Sequence, residues 1–177
     1  MARKKLKIRV SLPRNVRDQA FHWIMEDATE FFAKKLMSTR LANLLNIRVH
    51  VRKTTMCDKT RGQVTLYATG SRRQRDYKIE LNYAKGLHQC IETLAHEMVH
   101  VRQKAKDQLQ YRYNYTTGKI MARWINNPVM PVEEIPYIDR PWEIEARKLQ
   151  KGLYKDYIEY VRVKHAKANK EEQCKSN

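Results

Sequence analysis

The stretch that most restricts the fold is "ETLAHEMVHVRQ", residues 92–103. At about 100° per residue in a helix, an axis through Ile91 gathers Leu94, Ala95, Met98, Val99, Val101 and Ala105 within roughly 80°. That is a wide apolar stripe, so a helix from about Leu87 to Gln108 must bury this side against other elements. His96 and His100 fall on the far side, beside Thr93 and Gln103. Only Arg102 sits awkwardly among the apolar positions. The rest of the chain must therefore build a core on one face of this helix and accommodate two histidines on another.

Four residues apart on a helix, the two imidazoles stand one above the other and can grip a single ion. Glu97, one step round, can reach a water on that ion without being a ligand. The alternative is a solvated helix face with two harmless histidines. The helical context, the strand before it and the position of the histidines off the core stripe favour a metal site.

A catalytic zinc site commonly uses three protein ligands. His165 lies in a lysine-rich helix end and reads as solvated, and His88 is too close along the same helix to swing round. The better source is "DRPWEIEARK", where Glu143 begins a last helix and Ala146, three residues on, shares its face. A small residue there lets this helix approach the histidine helix closely. Glu145 points roughly 200° away, free to meet solvent or a basic neighbour such as Arg147 or Lys148. Glu143 is the expected third ligand on this geometry, with Glu145 as the competitor.

Periodicity organises the remainder. Residues 14–45 carry Val16, Ala20, Trp23, Ile24, Ala28, Phe31, Phe32 and Leu36 at helical spacing, predicting one long amphipathic helix or two in succession. "NIRVHVRK", "QVTLYA" and "DYKIELN" alternate apolar and polar residues as half-buried strands. Together they predict a small antiparallel sheet with one face on the core and the other basic, "TGSRRQR" forming a basic hairpin loop. "YRYNYTTGKIMARWIN" predicts a hairpin about Thr117-Gly118. Four of the five prolines fall in "NPVMPVEEIPYIDRP", read as an ordered extended loop, and Pro141 suits the first turn of a helix over 141–165. Residues 1–13 read as a basic arm and 166–177 as a polar, frayed tail. With 177 residues, 42% of them apolar, one α+β domain is expected: a sheet packed on a long N-terminal helix, the histidine helix and a C-terminal helix.

Composition narrows the function classes. No apolar run approaches the roughly 18–20 residues of a membrane span. No secretory cleavage site follows the basic N-terminus, so a cytoplasmic protein is expected. Cys57, Cys90 and Cys174 lie far apart and form no disulfide or zinc-knuckle pattern. Lys and Arg outnumber Asp and Glu by 36 to 19, a formal charge of +17. Such a field attracts polyanions, so DNA or RNA contact without sequence preference is one expectation and solubility alone the other. The nucleic-acid candidates are Arg72, Arg73 and Arg75, with "RKKLKIR" (3–9) beside them.

"LAHEMVHVRQ" followed by "PWEIEA" resembles a zincin metallopeptidase whose third ligand is a glutamate. In style it is similar to the compact SprT-like and ImmA/IrrE-like proteins, many of them phage-encoded. The resemblance covers about residues 40–160. It implies Zn2+ on His96, His100 and Glu143, with Glu97 as general base in peptide-bond hydrolysis. It also implies a protein or peptide substrate laid along an edge strand of the sheet, and SprT-like proteins are associated with proteolysis near DNA. Tyr137, Arg140 and Tyr115 are the residues considered as oxyanion donors, each with packing as its simpler role. The chain departs from the pattern in lacking a cysteine zinc module and in placing Arg147 after the small residue. The rival expectation is a basic nucleic-acid-associated or phage structural protein with a non-catalytic zinc site.

Overall fold

A computed structural model describes residues 5–13, 18–52, 62–66, 75–83, 86–125 and 127–175, with side chains through 168 except that of Leu66. The architecture is α+β, with two small sheets and four α-helices among the described residues.

Strand β1 (Lys7–Ser11) leads to helix α1 (Gln19–Leu36). Asp18 caps α1 through Oδ1, accepting from the amides of Ala20 at 2.9 Å and Phe21 at 3.2 Å. Phe21, Met25, Ala28, Phe32 and Ala33 form its buried stripe. The periodic segment read over 14–45 breaks where Met37 turns extended, and Ser38 caps a short helix α2 (Thr39–Ala42), giving two helices in succession.

β2 (Asn46–Arg52), β3 (Gly62–Leu66) and β4 (Asp76–Asn82) complete a sheet of order β1-β2-β4-β3. The expected antiparallel sheet is corrected here. β1 pairs with β2 and β2 with β4 in parallel, and only β3–β4 is antiparallel. Alternation identifies the buried face of a strand but carries no information about its direction. The long excursions between these strands permit parallel pairing, which needs crossover connections. The basic arm is corrected as well, since Lys7–Ser11 lies inside residues 1–13 and forms an edge strand in register with Asn46–His50. Alternate side chains Ile47, Val49 and Val51 on β2 and Tyr77, Ile79 and Leu81 on β4 are buried. The opposite face carries Arg48, Arg52 and Lys78, with Glu80 meeting Arg52 at 2.9 Å and Lys78 at 2.7 Å.

Helix α3 (Gly86–Ala105) lies against the buried face and is followed by the hairpin β5 (Leu109–Asn114) and β6 (Lys119–Trp124), which the two-residue strand β7 (Met130–Pro131) extends. Two 3-10 turns, Val132–Glu134 and Tyr137–Asp139, lead into α4 (Pro141–Lys175). α4 runs ten residues beyond the expected end at 165, through the segment read as frayed. Ala, Lys, Glu and Gln there are good helix formers, and no Gly or Pro stops the turn. Tyr157 anchors α4 to α1, its hydroxyl donating to the Ile24 carbonyl and the Asp27 carboxylate, both at 3.2 Å. Among the described residues, no helix is long and apolar enough to cross a membrane.

Candidate metal centre

The apolar stripe of α3 is buried as its spacing requires, with Leu94, Ala95, Met98, Val99 and Val101 fully enclosed. The histidine side is covered too: Thr93, Glu97, His100 and Gln103 are buried against the start of α4 and the start of β3. Pro141 opens α4 and Glu143 falls in its first turn. Ala146 is fully buried, a small side chain between the two helices, as the approach requires.

This packing brings three side chains together. His96 Nε2 lies 3.3 Å from Glu143 Oε2, His100 Nε2 lies 3.3 Å from Glu143 Oε1, and the two imidazole Nε2 atoms are 3.2 Å apart. They are the group of His, Cys, Asp and Glu among the described residues arranged to hold a metal ion. His165 is exposed on the outer part of α4, and His88 instead meets the Tyr154 hydroxyl at 2.7 Å.

The outer partners decide which nitrogen faces the centre. Gln103 Nε2 donates to the Trp142 carbonyl at 3.0 Å and to Glu145 Oε2 at 2.8 Å, both of which can only accept. Its Oε1 therefore faces His100 Nδ1, 2.7 Å away, and holds the proton there. Gln150 repeats the device: Nε2 donates to Glu92 Oε1 at 3.0 Å, and Oε1 faces His96 Nδ1 at 3.0 Å. With both Nδ1 atoms protonated, both Nε2 lone pairs point at one carboxylate. Burial would raise the Glu143 pKa, but the neighbouring His100 and His96 imidazoles and the Tyr137 hydroxyl outweigh it and hold the carboxyl well below its usual range. Burial would lower the His100 pKa, yet the adjacent Glu143 carboxylate raises it. Both shifts express one demand, for positive charge between the carboxylate and the imidazoles. Two imidazole nitrogens and a carboxylate, with Glu143 Oε2 buried and lacking a hydrogen bond, fit a divalent cation.

Replacing Gln103 by Leu should lower metal affinity about 10–100-fold, the usual effect of losing an outer partner, because His100 Nδ1 then loses its acceptor. Titration against a competing chelator reads this. Unchanged affinity would mean that His100 is oriented by something else.

Glu97 is 5% exposed, and burial raises its carboxyl pKa against the pull of His100 and His96. Strand β3 passes directly over it. A Cβ on Gly62 would lie 2.6 Å from Thr93 Cγ2 and 2.8 Å from Glu97 Oε1, so only glycine allows the strand this close without a shift. The space between β3, α3, the hairpin and the start of α4 is a cleft of about 1160 Å³.

Glu145 stays partly open to solvent, its side chain 31% exposed, but the basic partner it meets is Arg102 and not Arg147 or Lys148. Spacing along α4 placed Glu145 away from Glu143, but only the docking of α4 on α3 supplied Arg102 as its partner. The same pair accounts for a cation on the apolar side of α3.

Of the residues considered as oxyanion donors, Tyr137 and Arg140 line the cleft. Arg140 spends its guanidinium on the carbonyls of Ile135 and Val132, both at 3.2 Å, and closes the loop before α4. The Tyr137 ring lies near two guanidinium groups, 5.6 Å from Arg140 and 5.9 Å from Arg147, and burial and the nearby Glu143 carboxylate push its hydroxyl pKa up. Tyr115 is 90% exposed at the hairpin tip, outside the cleft. Arg72 and Arg73 lie outside the described residues, and Arg75 donates to the Ala105 carbonyl at 3.0 Å at the end of α3.

Reading the sequence assigned no role to Gln103 or Gln150. Each had a usable signal: Gln103 follows His100 by three residues, and Gln150 follows Glu143 by seven, both on the ligand face of their helix. Compared with protein-family models, curated proteins and solved structures, the chain finds no match.

Proposed function

We propose that this chain is a zinc-dependent metalloendopeptidase, with His96, His100 and Glu143 holding Zn2+ and Glu97 acting as general base. The observation that carries the reading is convergence: two Nε2 lone pairs and a carboxylate meet at one point, with a buried fourth residue, Glu97, beside them and a cleft in front. Bound there, zinc supplies Lewis acidity, polarising a peptide carbonyl and lowering the pKa of a water. Glu97, beside the centre, would take a proton from the attacking water and pass it to the leaving amine. Its burial raises the carboxyl pKa towards the range where it can both take and return a proton. Of the considered donors, the Tyr137 hydroxyl lines the cleft and is not spent on loop carbonyls as Arg140 is, so it is the one assigned to the oxygen that gains charge. β3, an edge strand beside Glu97, offers its backbone to a substrate added as a further strand, a mode that tolerates varied sequences.

The charge of +17 supports action near DNA or RNA, bound through phosphates and weakening steeply with salt. The rival reading, a metal kept for stability in a nucleic-acid-associated or phage structural protein, gives Glu97 no task. A structural zinc is closed by four protein ligands, whereas the three found here open on a cleft.

The test is hydrolysis of casein by zinc-loaded protein, with and without DNA. Cleavage is expected, abolished by a chelator and restored by zinc. Stoichiometric zinc with no cleavage in either condition would favour the structural site.

A further inference from the structure

Lys104 stands one turn beyond His100 on α3, so His96, His100 and Lys104 form a single row along the cleft floor. Its ammonium donates to the Val64 carbonyl of β3 at 3.3 Å and lies 5.8 Å from the Tyr111 ring centroid. A lysine ammonium has three donors and no acceptor, and here the Val64 carbonyl is the hydrogen-bond acceptor found for it. Among the described residues it forms no ion pair. Burial lowers its pKa below the ordinary lysine value, and the Glu97 and Glu143 charges oppose this only in part.

The balance of charge in the cleft singles this residue out. Lys104, Arg140, Arg147 and Lys151 line it, against two carboxylates, Glu97 and Glu143. Glu143 is engaged by the histidines, and Glu97 is assigned to the proton. Arg140 and Arg147 are engaged by carbonyls of Val132, Ile135 and Ile138, and Lys151 is exposed. Among the described residues, Lys104 alone of the four is a half-buried cation whose hydrogen bond goes to the strand on which a peptide would lie. A divalent ion in the centre would add to the positive field, which favours a substrate carrying negative charge.

We propose that Lys104 makes this cleft selective for acidic peptides, its ammonium receiving a Glu or Asp side chain of an extended substrate seated along β3. The inference rests on the peptidase reading above. The bland role for Lys104 is a tie between α3 and β3, which a neutral hydrogen-bond donor would also supply.

The experiment uses two short peptide pools, identical but for a fixed central Glu or Gln, binding to zinc-loaded Glu97→Gln protein at physiological salt. Fluorescence anisotropy should show the Glu pool bound about tenfold tighter, the order expected for one charge-assisted hydrogen bond. Lys104→Met should erase the preference. Lys104→Gln, which keeps a donor for Val64, should erase it too. Lys106→Met removes the same charge from an exposed position just past the end of α3 and should retain it. Equal binding of the two pools, or a preference that survives Lys104→Gln, overturns the inference and leaves the peptidase reading standing. Binding of neither pool overturns both.

Discussion

Replacing Glu97 by Gln is expected to lower peptide hydrolysis by about 10²–10⁴-fold, the range for a positioned general base, with zinc content unchanged. The amide is nearly isosteric, so it fills the same space under Gly62, where the carboxyl oxygen and a Cβ would be only 2.8 Å apart. It cannot accept a proton. Glu97 sits outside the group of three that meets at the centre, so the ion should stay. A pH profile adds a second reading. The base works ionised, and burial raises its pKa above the usual carboxylate value. Wild-type rates should therefore fall as pH drops through that raised pKa, and the residual activity of Glu97→Gln should lack this acid limb. Unchanged turnover in the variant would remove Glu97 from the chemistry.

The second large effect concerns the glutamates of α4. Glu143→Ala, like His96→Ala and His100→Ala, should abolish stoichiometric zinc after gel filtration. Each takes one ligand from a set of three, a larger loss than the roughly 10–100-fold attached to outer partners. Folding should persist, because the pair of lone-pair nitrogens and a carboxylate serves the ion and not the core. Glu145→Ala should behave in the opposite way. It reaches the centre only through Gln103, so zinc remains, weakened by no more than an outer partner's effect. Stability should drop by roughly 1–3 kcal/mol, because Arg102 is left largely buried, its side chain 14% exposed, without its carboxylate. Inductively coupled plasma analysis and thermal melts on the four variants read both quantities. Zinc lost from Glu145→Ala and retained in Glu143→Ala would reverse the assignment.

The two glutamates also mark the limit of reading a helix from its sequence. Spacing on a helix is rigid, about 100° per residue, so the apolar stripe of α3, the shared face of His96 and His100, and the separation of Glu143 from Glu145 were all legible. Ala146 likewise signalled a close approach. The hairpin about Thr117-Gly118 was legible for a similar reason, since Gly118 adopts φ +68° in the turn between β5 and β6. These are properties of consecutive residues, fixed by local geometry.

What sequence determined by itself was therefore which side chains share a face: a core stripe on α3, two imidazoles opposite it, and a carboxylate at the start of α4. Tertiary structure alone decided how those faces meet. Strand direction turned out parallel for β1–β2 and β2–β4, because the crossovers and not the alternation set it. The histidine side became buried only when α4 and β3 closed over it. The same docking brought Gln103 to Trp142 and Glu145, Gln150 to Glu92 and His96, and Lys104 lies against Val64. Each such contact joins residues distant in the chain, and no local periodicity encodes a distance between two elements.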